Sequence, residues 1–166
     1  DAGLEPYSPY LVVQDEIWRA LRMGEGMPDR FDTLGRLNRT FGVGQILISH
    51  TMSDLLALPT EADRAKTRGF VERSGVVITG ALPRDEFENH LSDVLPYSEE
   101  EIALVSSWHT PPSWAQEGAD MPPPGQGKFL IKVGSRPGIP IQTYLTAAEK
   151  DLHDTNKRWR SAPGLT

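Results

Sequence analysis

Cysteine is absent from all 166 residues, which excludes disulfides and thiolate metal sites and fits a cytosolic origin. No apolar run approaches the roughly 20 residues that cross a bilayer. The opening DAGLEPYSPY has neither the basic nor the apolar region of a signal peptide. The chain does not begin with Met, which fits a processed product or a fragment of a longer polypeptide. Four histidines, His50, His90, His109 and His153, show no HxxxH or HExxH spacing, so a zinc site is not expected. No Gly-x-Ser-x-Gly elbow is present either.

Positive charge is in deficit. Lys and Arg number 17 against 23 Asp and Glu, a net charge of −6, and the pI is near 5.2. An autonomous nucleic-acid-binding module is usually basic, so none is expected. The most consequential absence is a GxxxxGK[ST] loop: Gly127-Lys128 is followed by Phe129. Without that cradle of backbone N–H groups and its Lys, this chain cannot grip a triphosphate tightly.

What remains is ordinary for a soluble globular domain, with 38% hydrophobic and 24% charged residues. Residues 10–14 (YLVVQ) read as a short buried strand, followed by Ile17, Trp18, Ala20 and Leu21 at helical spacing. After Gly24 and Gly26, Pro28 opens a helix whose Phe31, Leu34, Leu37, Asn38 and Phe41 predict one buried face. Residues 45–49 (QILIS) form a second apolar strand of the kind found in parallel sheets covered on both faces. A short helical turn ends at Pro59, and Thr60 starts a helix running to Arg73. VVITGA is a third strand.

PRDEFENHLSDVL then carries a Phe87-Leu91-Leu95 stripe, and Ser98 to Glu101 is a capping box for a helix ending near Trp108. Residues 109–126, rich in Pro and Gly, predict an exposed loop. KFLIKVG and GIPIQTYL predict a hairpin turning at residues 135–137. A second capping box, Thr146 to Glu149, opens a helix through about Asn156. Strands alternating with helices predict an α/β domain with a mainly parallel sheet flanked by helices, closed by a hairpin and a helix.

Two stretches carry chemistry. In LVVQDEIWRAL an apolar strand ends in Asp15-Glu16, the Walker B pattern of nucleotide hydrolases. On that reading Asp15 holds Mg²⁺ through water, and Glu16 polarises the water that attacks the γ-phosphate. The alternative is that both acids occupy the first turn of a helix and offset its dipole. In NRTFGVGQILISHT a second strand ends in Ser49-His50-Thr51. If the two strands are neighbours, His50 reaches the same sheet edge as the acids. By default, His50 is a satisfied polar residue, and Arg39 and Arg36 are solvated charges.

The order LVVQDEIWRAL, GRLNRTFGVGQILISHTMSDL, GFVERSGVVITGAL, with the tail GKFLIKVGSRPGIPIQTYLTAAEKDLHDTNKRW, resembles the TraG/TraC-like ATPases of conjugative transfer and type IV secretion. These belong to the FtsK–HerA superfamily of RecA-like P-loop motors. The resemblance implies a partial RecA-like fold: residues 1–108 are the Walker B and sensor half, 109–126 a loop, and 127–166 the hairpin and helix of the same domain. It implies Asp15 as the metal-side carboxylate, Glu16 as catalytic base, and His50 at a sensor position where the family usually has Gln. Arg39 becomes the arginine that reaches a neighbouring subunit's nucleotide, with Arg36 as the weaker candidate.

ATP and Mg²⁺ are the implied cofactors of the whole protein. Its implied partners are neighbouring subunits of a homo-oligomeric ring (a hexamer), the secretion or conjugation machinery, and a DNA or protein substrate. The implied place is the cytoplasm, peripheral to the inner face of the membrane. With no P-loop, the chain is expected to be the inactive C-terminal half of the motor domain. The competing expectation is a non-catalytic α/β interaction domain.

Overall fold

In the computed structural model, residues 10–109 and 124–153 are described. Most of the Pro-rich loop, and any continuation of the last helix beyond His153, lie outside them. Strand β1 (Leu11–Gln14) leads into α1 (Ile17–Leu21) and α2 (Met27–Thr40). Gly42 at φ 62° lets the chain reverse after α2, and Val43 N–H closes the turn on the Asn38 carbonyl at 2.8 Å. Strand β2 (Gly44–Leu47) follows. It runs parallel to β1, with Leu11 opposite Gly44 and Gln14 opposite Leu47.

Helices α3 (Met52–Leu56) and α4 (Glu61–Glu72) come next, capped by the Thr51 and Thr60 hydroxyls. Strand β3 (Val77–Thr79) precedes α5 (Arg84–Glu86), which runs on as a π-helical turn (Phe87–Leu91). Then come α6 (Glu99–Ser106), β4 (Lys128–Lys132), β5 (Ile139–Gln142) and α7 (Ala147–His153). Both expected capping boxes form. Ser98 Oγ accepts from Glu101 N–H while the Glu101 carboxylate accepts from Ser98 N–H. Thr146 and Glu149 make the same exchange. The expected hairpin is the antiparallel pair β4–β5.

The α/β class holds, with its parallel component in β1–β2. The third strand joins the other sheet: β3 pairs antiparallel with β4, giving the order β3-β4-β5. Strand alternation along a sequence does not say which strands pair, because each pairing is a non-local choice.

The core lies among the helices. Ile17 and Leu21 of α1 join Met52, Leu55 and Leu56 of α3, then Phe87, Leu91 and Leu95, Ile102 and Val105 of α6, and Leu130 of β4. The Phe87-Leu91-Leu95 stripe is thus buried as its spacing predicts, and Phe87 meets Tyr97 edge to face, ring centres 5.1 Å apart.

Two expectations of burial fail. Strand β1 is exposed, with Leu11 at 65% and Val13 at 55%, and Ile46 and Leu47 of β2 are exposed too. Among the described residues too little packs over this two-stranded sheet to bury it, so an apolar sequence does not guarantee a buried strand. On α2, Leu34 and Leu37 stand in solvent, as does Phe41 just past its end, while Phe31 packs at the core margin.

Among the described residues one ion pair is buried. Lys132 Nζ bonds both carboxylate oxygens of Glu101, at 2.9 and 2.7 Å, with side chains 3% and 12% exposed. Gly138 N–H also donates to Glu101, and the ammonium lies over the Tyr97 ring. Glu101 therefore ties α6 to β4 and to the hairpin turn while still capping its own helix.

Burial pushes the Glu101 carboxyl up, but Lys132 and the Gly138 and Ser98 N–H groups outweigh it and hold it below the ordinary 4.5. Asp32 is likewise pushed up by burial and held below 3.8 by Arg36 and Arg73. Carboxyls depressed in the folded state contribute stability that is complete above their unfolded values and lost as pH falls through the folded ones. Unfolding midpoints in urea are therefore expected to hold steady above pH 4.5 and to drop on further acidification. Asp32→Asn should flatten that acid limb; an unchanged limb would contradict the assignment of Asp32.

Candidate functional site

Strands β1 and β2 run in the same direction, so both C-terminal ends face one edge. The ladder continues past the strands: Ile48 N–H donates to the Gln14 carbonyl at 2.9 Å, and Ile17 N–H donates to the Ile48 carbonyl at 3.0 Å. This clamps the Asp15-Glu16 turn beside Ser49-His50. In open α/β sheets, ligands gather outside the carboxyl ends of parallel strands.

Helix α1 begins at Ile17 and has no acid in its first turn, and Glu16, at the N-cap position, makes no capping bond. The reading of both acids as first-turn dipole partners is thus not what the chain does. Glu16 takes the left-handed conformation, φ 53° and ψ 41°, which costs a non-glycine residue on the order of 1–2 kcal/mol. Strain of this kind clusters at functional sites. Here it turns the Glu16 side chain toward the neighbouring strand's end.

There its two oxygens are separately engaged. His50 Nε2 lies 2.9 Å from Oε1, and Trp18 Nε1–H donates to Oε2. The Glu16 side chain is 35% exposed and that of His50 69%, so both remain open to a ligand. Asp15 is exposed, and one of its oxygens accepts the Glu16 N–H at 2.9 Å.

The structure brings together Asp15, Glu16 and His50. Arg39 sits on the last turn of α2, with its side chain outside the described structure. Arg36 is paired to Asp32 one turn earlier, at 3.0 Å.

Five further residues frame this edge. Thr51 Oγ accepts from Asp54 N–H at 3.0 Å and donates to the Asp54 carboxylate at 2.9 Å. Ser53 N–H and its hydroxyl both reach the buried Glu86, at 2.7 and 3.0 Å. Arg22 donates to the Asp54 carbonyl at 3.0 Å. Thr51-x-x-Asp54 is a local capping pattern and legible as such. Glu86 and Arg22 act across long sequence separations and leave no local signal.

Among the described residues no cluster of three His or acidic side chains could hold a metal ion. Mg²⁺, however, keeps most of its waters and commonly takes only one or two carboxylates beside substrate phosphates. The exposed Asp15 at the strand end fits that lighter demand.

The fold matches part of VirB4. The structure of VirB4 of Thermoanaerobacter pseudethanolicus aligns with a TM-score of 0.61 at 16% sequence identity, over 84% of this chain and 32% of the VirB4 chain. At that identity the likeness to VirB4 is one of fold, and this chain spans about a third of the VirB4 length. No protein-family model and no curated protein sequence matches the chain.

Proposed function

We propose that this chain is the Walker B and sensor part of a RecA-like motor ATPase that energises type IV secretion or conjugative DNA transfer. The observation that carries the reading is the meeting of Glu16 and His50, from separate strands, at the carboxyl edge of a parallel pair. The fold likeness to VirB4 supports the same direction.

In this reading Glu16 takes the proton of the water that attacks the γ-phosphate, and His50 reports on that site through its contact with Glu16. Asp15 would hold Mg²⁺ through water, and the ion would offset phosphate charge. Arg39 serves the nucleotide of a neighbouring subunit in a homo-oligomeric ring. The phosphate-gripping loop comes from outside this sequence, and with it ATP binding. Apolar faces left bare on β1 and β2 fit a parallel sheet that continues into further strands. The motor would work in the cytoplasm at the inner face of the membrane, moving DNA or protein.

In a non-catalytic interaction domain the two acids and Arg39 would only cap helices and remain solvated; the lack of a side-chain cap on α1 and the Glu16–His50 contact favour the motor. The deciding measurement is ATP hydrolysis. The 166-residue chain alone is expected to be inactive, and a longer polypeptide that adds a P-loop is expected to turn over MgATP. A Glu16-dependent rate from the chain alone would overturn the divided site. No turnover in the longer polypeptide would overturn the motor.

A further inference from the structure

The base proposed above needs its carboxylate aimed, and Glu16 sits in a strained turn with a third of its side chain exposed. We propose that Trp18 is the positioning residue that aims it, backed by Arg22. This rests on the reading of Glu16 as the base.

The indole N–H is a donor with no acceptor capacity, and here it is committed to Glu16 Oε2. The ring itself is held. One side packs against the core, and the Arg22 guanidinium lies 4.6 Å from its centre. Arg22 in turn donates to the Asp54 carbonyl and lies 3.8 Å from the Asp54 carboxylate. Asp54 is bonded to Thr51, the neighbour of His50.

A closed circuit results: Glu16, Trp18, Arg22, Asp54, Thr51, His50 and back to Glu16. Each of the two groups that touch the carboxylate is thereby braced against the other, so neither can drift without the second. An ionised carboxylate has about four lone-pair sites. With Trp18 on one oxygen and His50 on the other, lone pairs remain directed outward, where a water could be polarised.

The experiment is an NMR comparison on the 166-residue chain itself. Its four tryptophans supply four indole N–H cross-peaks, and Trp18→Phe identifies that of Trp18 by its loss. Glu16→Gln is expected to shift the Trp18 indole peak while leaving the buried Trp108 peak in place. Trp18→Phe keeps an aromatic ring on the core but removes the N–H. It is expected to shift the Glu16 carboxyl and His50 ring resonances while the distant Val105 methyls stay put; the arm that ring packing alone would not produce is the Trp18 indole N–H shift in Glu16→Gln, where the ring is unchanged.

An unmoved Trp18 indole in Glu16→Gln overturns the proposal, as do unmoved Glu16 and His50 signals in Trp18→Phe. Should Trp18→Phe unfold the chain, Glu16→Gln still decides, because it leaves the indole intact and the Trp18 peak is then assigned through its connection to the residue's own backbone resonances. No nucleotide enters this measurement, so a failed positioning role is distinguishable from a failed motor, which shows only as missing MgATP turnover.

Discussion

Glu16→Gln, placed in a polypeptide that supplies a P-loop, is expected to lower MgATP turnover by about 10²–10⁴-fold, the usual contribution of a positioned general base, while nucleotide binding is retained. Gln keeps the shape of the side chain and loses the charge that accepts the proton. Its amide NH2 also takes the place of one oxygen and is a donor, so Gln cannot present an acceptor to Trp18 on one side and to His50 on the other, as Glu16 does. Glu16 is partly exposed and outside the core, so the thermal midpoint should change little. That separates lost chemistry from lost fold. Turnover at the parent rate would remove Glu16 from the reaction. Single-turnover hydrolysis beside equilibrium nucleotide binding is the measurement that decides it.

Lys132→Met is expected to cost about 3–5 kcal/mol of folding stability, the range for removing one partner of a buried ion pair. Both charges of Glu101–Lys132 are nearly out of water. Removing the ammonium leaves Glu101 with the Gly138 and Ser98 N–H groups and an uncompensated negative charge beside Tyr97. The double change Lys132→Met with Glu101→Leu should recover much of the loss, since paired apolar replacements of buried ion pairs are often neutral. Recovery will be incomplete, because Glu101 also completes the α6 capping box and accepts the Gly138 N–H. Urea unfolding of the parent, both single variants and the double closes the cycle. A Lys132→Met effect below about 1 kcal/mol would show that the pair is solvated, as surface pairs are.

How much was legible beforehand depended on the range of the interaction. Ser98 to Glu101 and Thr146 to Glu149 form their boxes within one turn, so composition at fixed spacing predicts them. The Phe87-Leu91-Leu95 stripe is also local, a matter of helical period, and it is buried. Burial of β1 and of the α2 stripe failed for a different reason. Apolar character states what a segment could cover, whereas coverage depends on neighbours that need not be in the chain.

The candidate site divides along the same line. That two carboxylates end an apolar strand, and that a His ends another, is plain in the order of residues. That the strands are parallel neighbours is not, since it depends on a ladder between Leu11–Gln14 and Gly44–Leu47. Glu86 was invisible as a site residue for that reason, and so was the bond from Trp18 to Glu16: they depend on an element 33 residues away and on a turn's left-handed backbone.

By itself, then, the sequence determined the α/β class, the helix starts, the hairpin and the missing phosphate loop. Each of these is written in nearest neighbours or in an absent motif. Only tertiary structure decided that β3 leaves the parallel strands for the hairpin, that β1 and β2 stand exposed, and that Glu16 is shared between His50 and Trp18. Those outcomes come from contacts between distant segments, where burial, pairing and backbone strain are settled together.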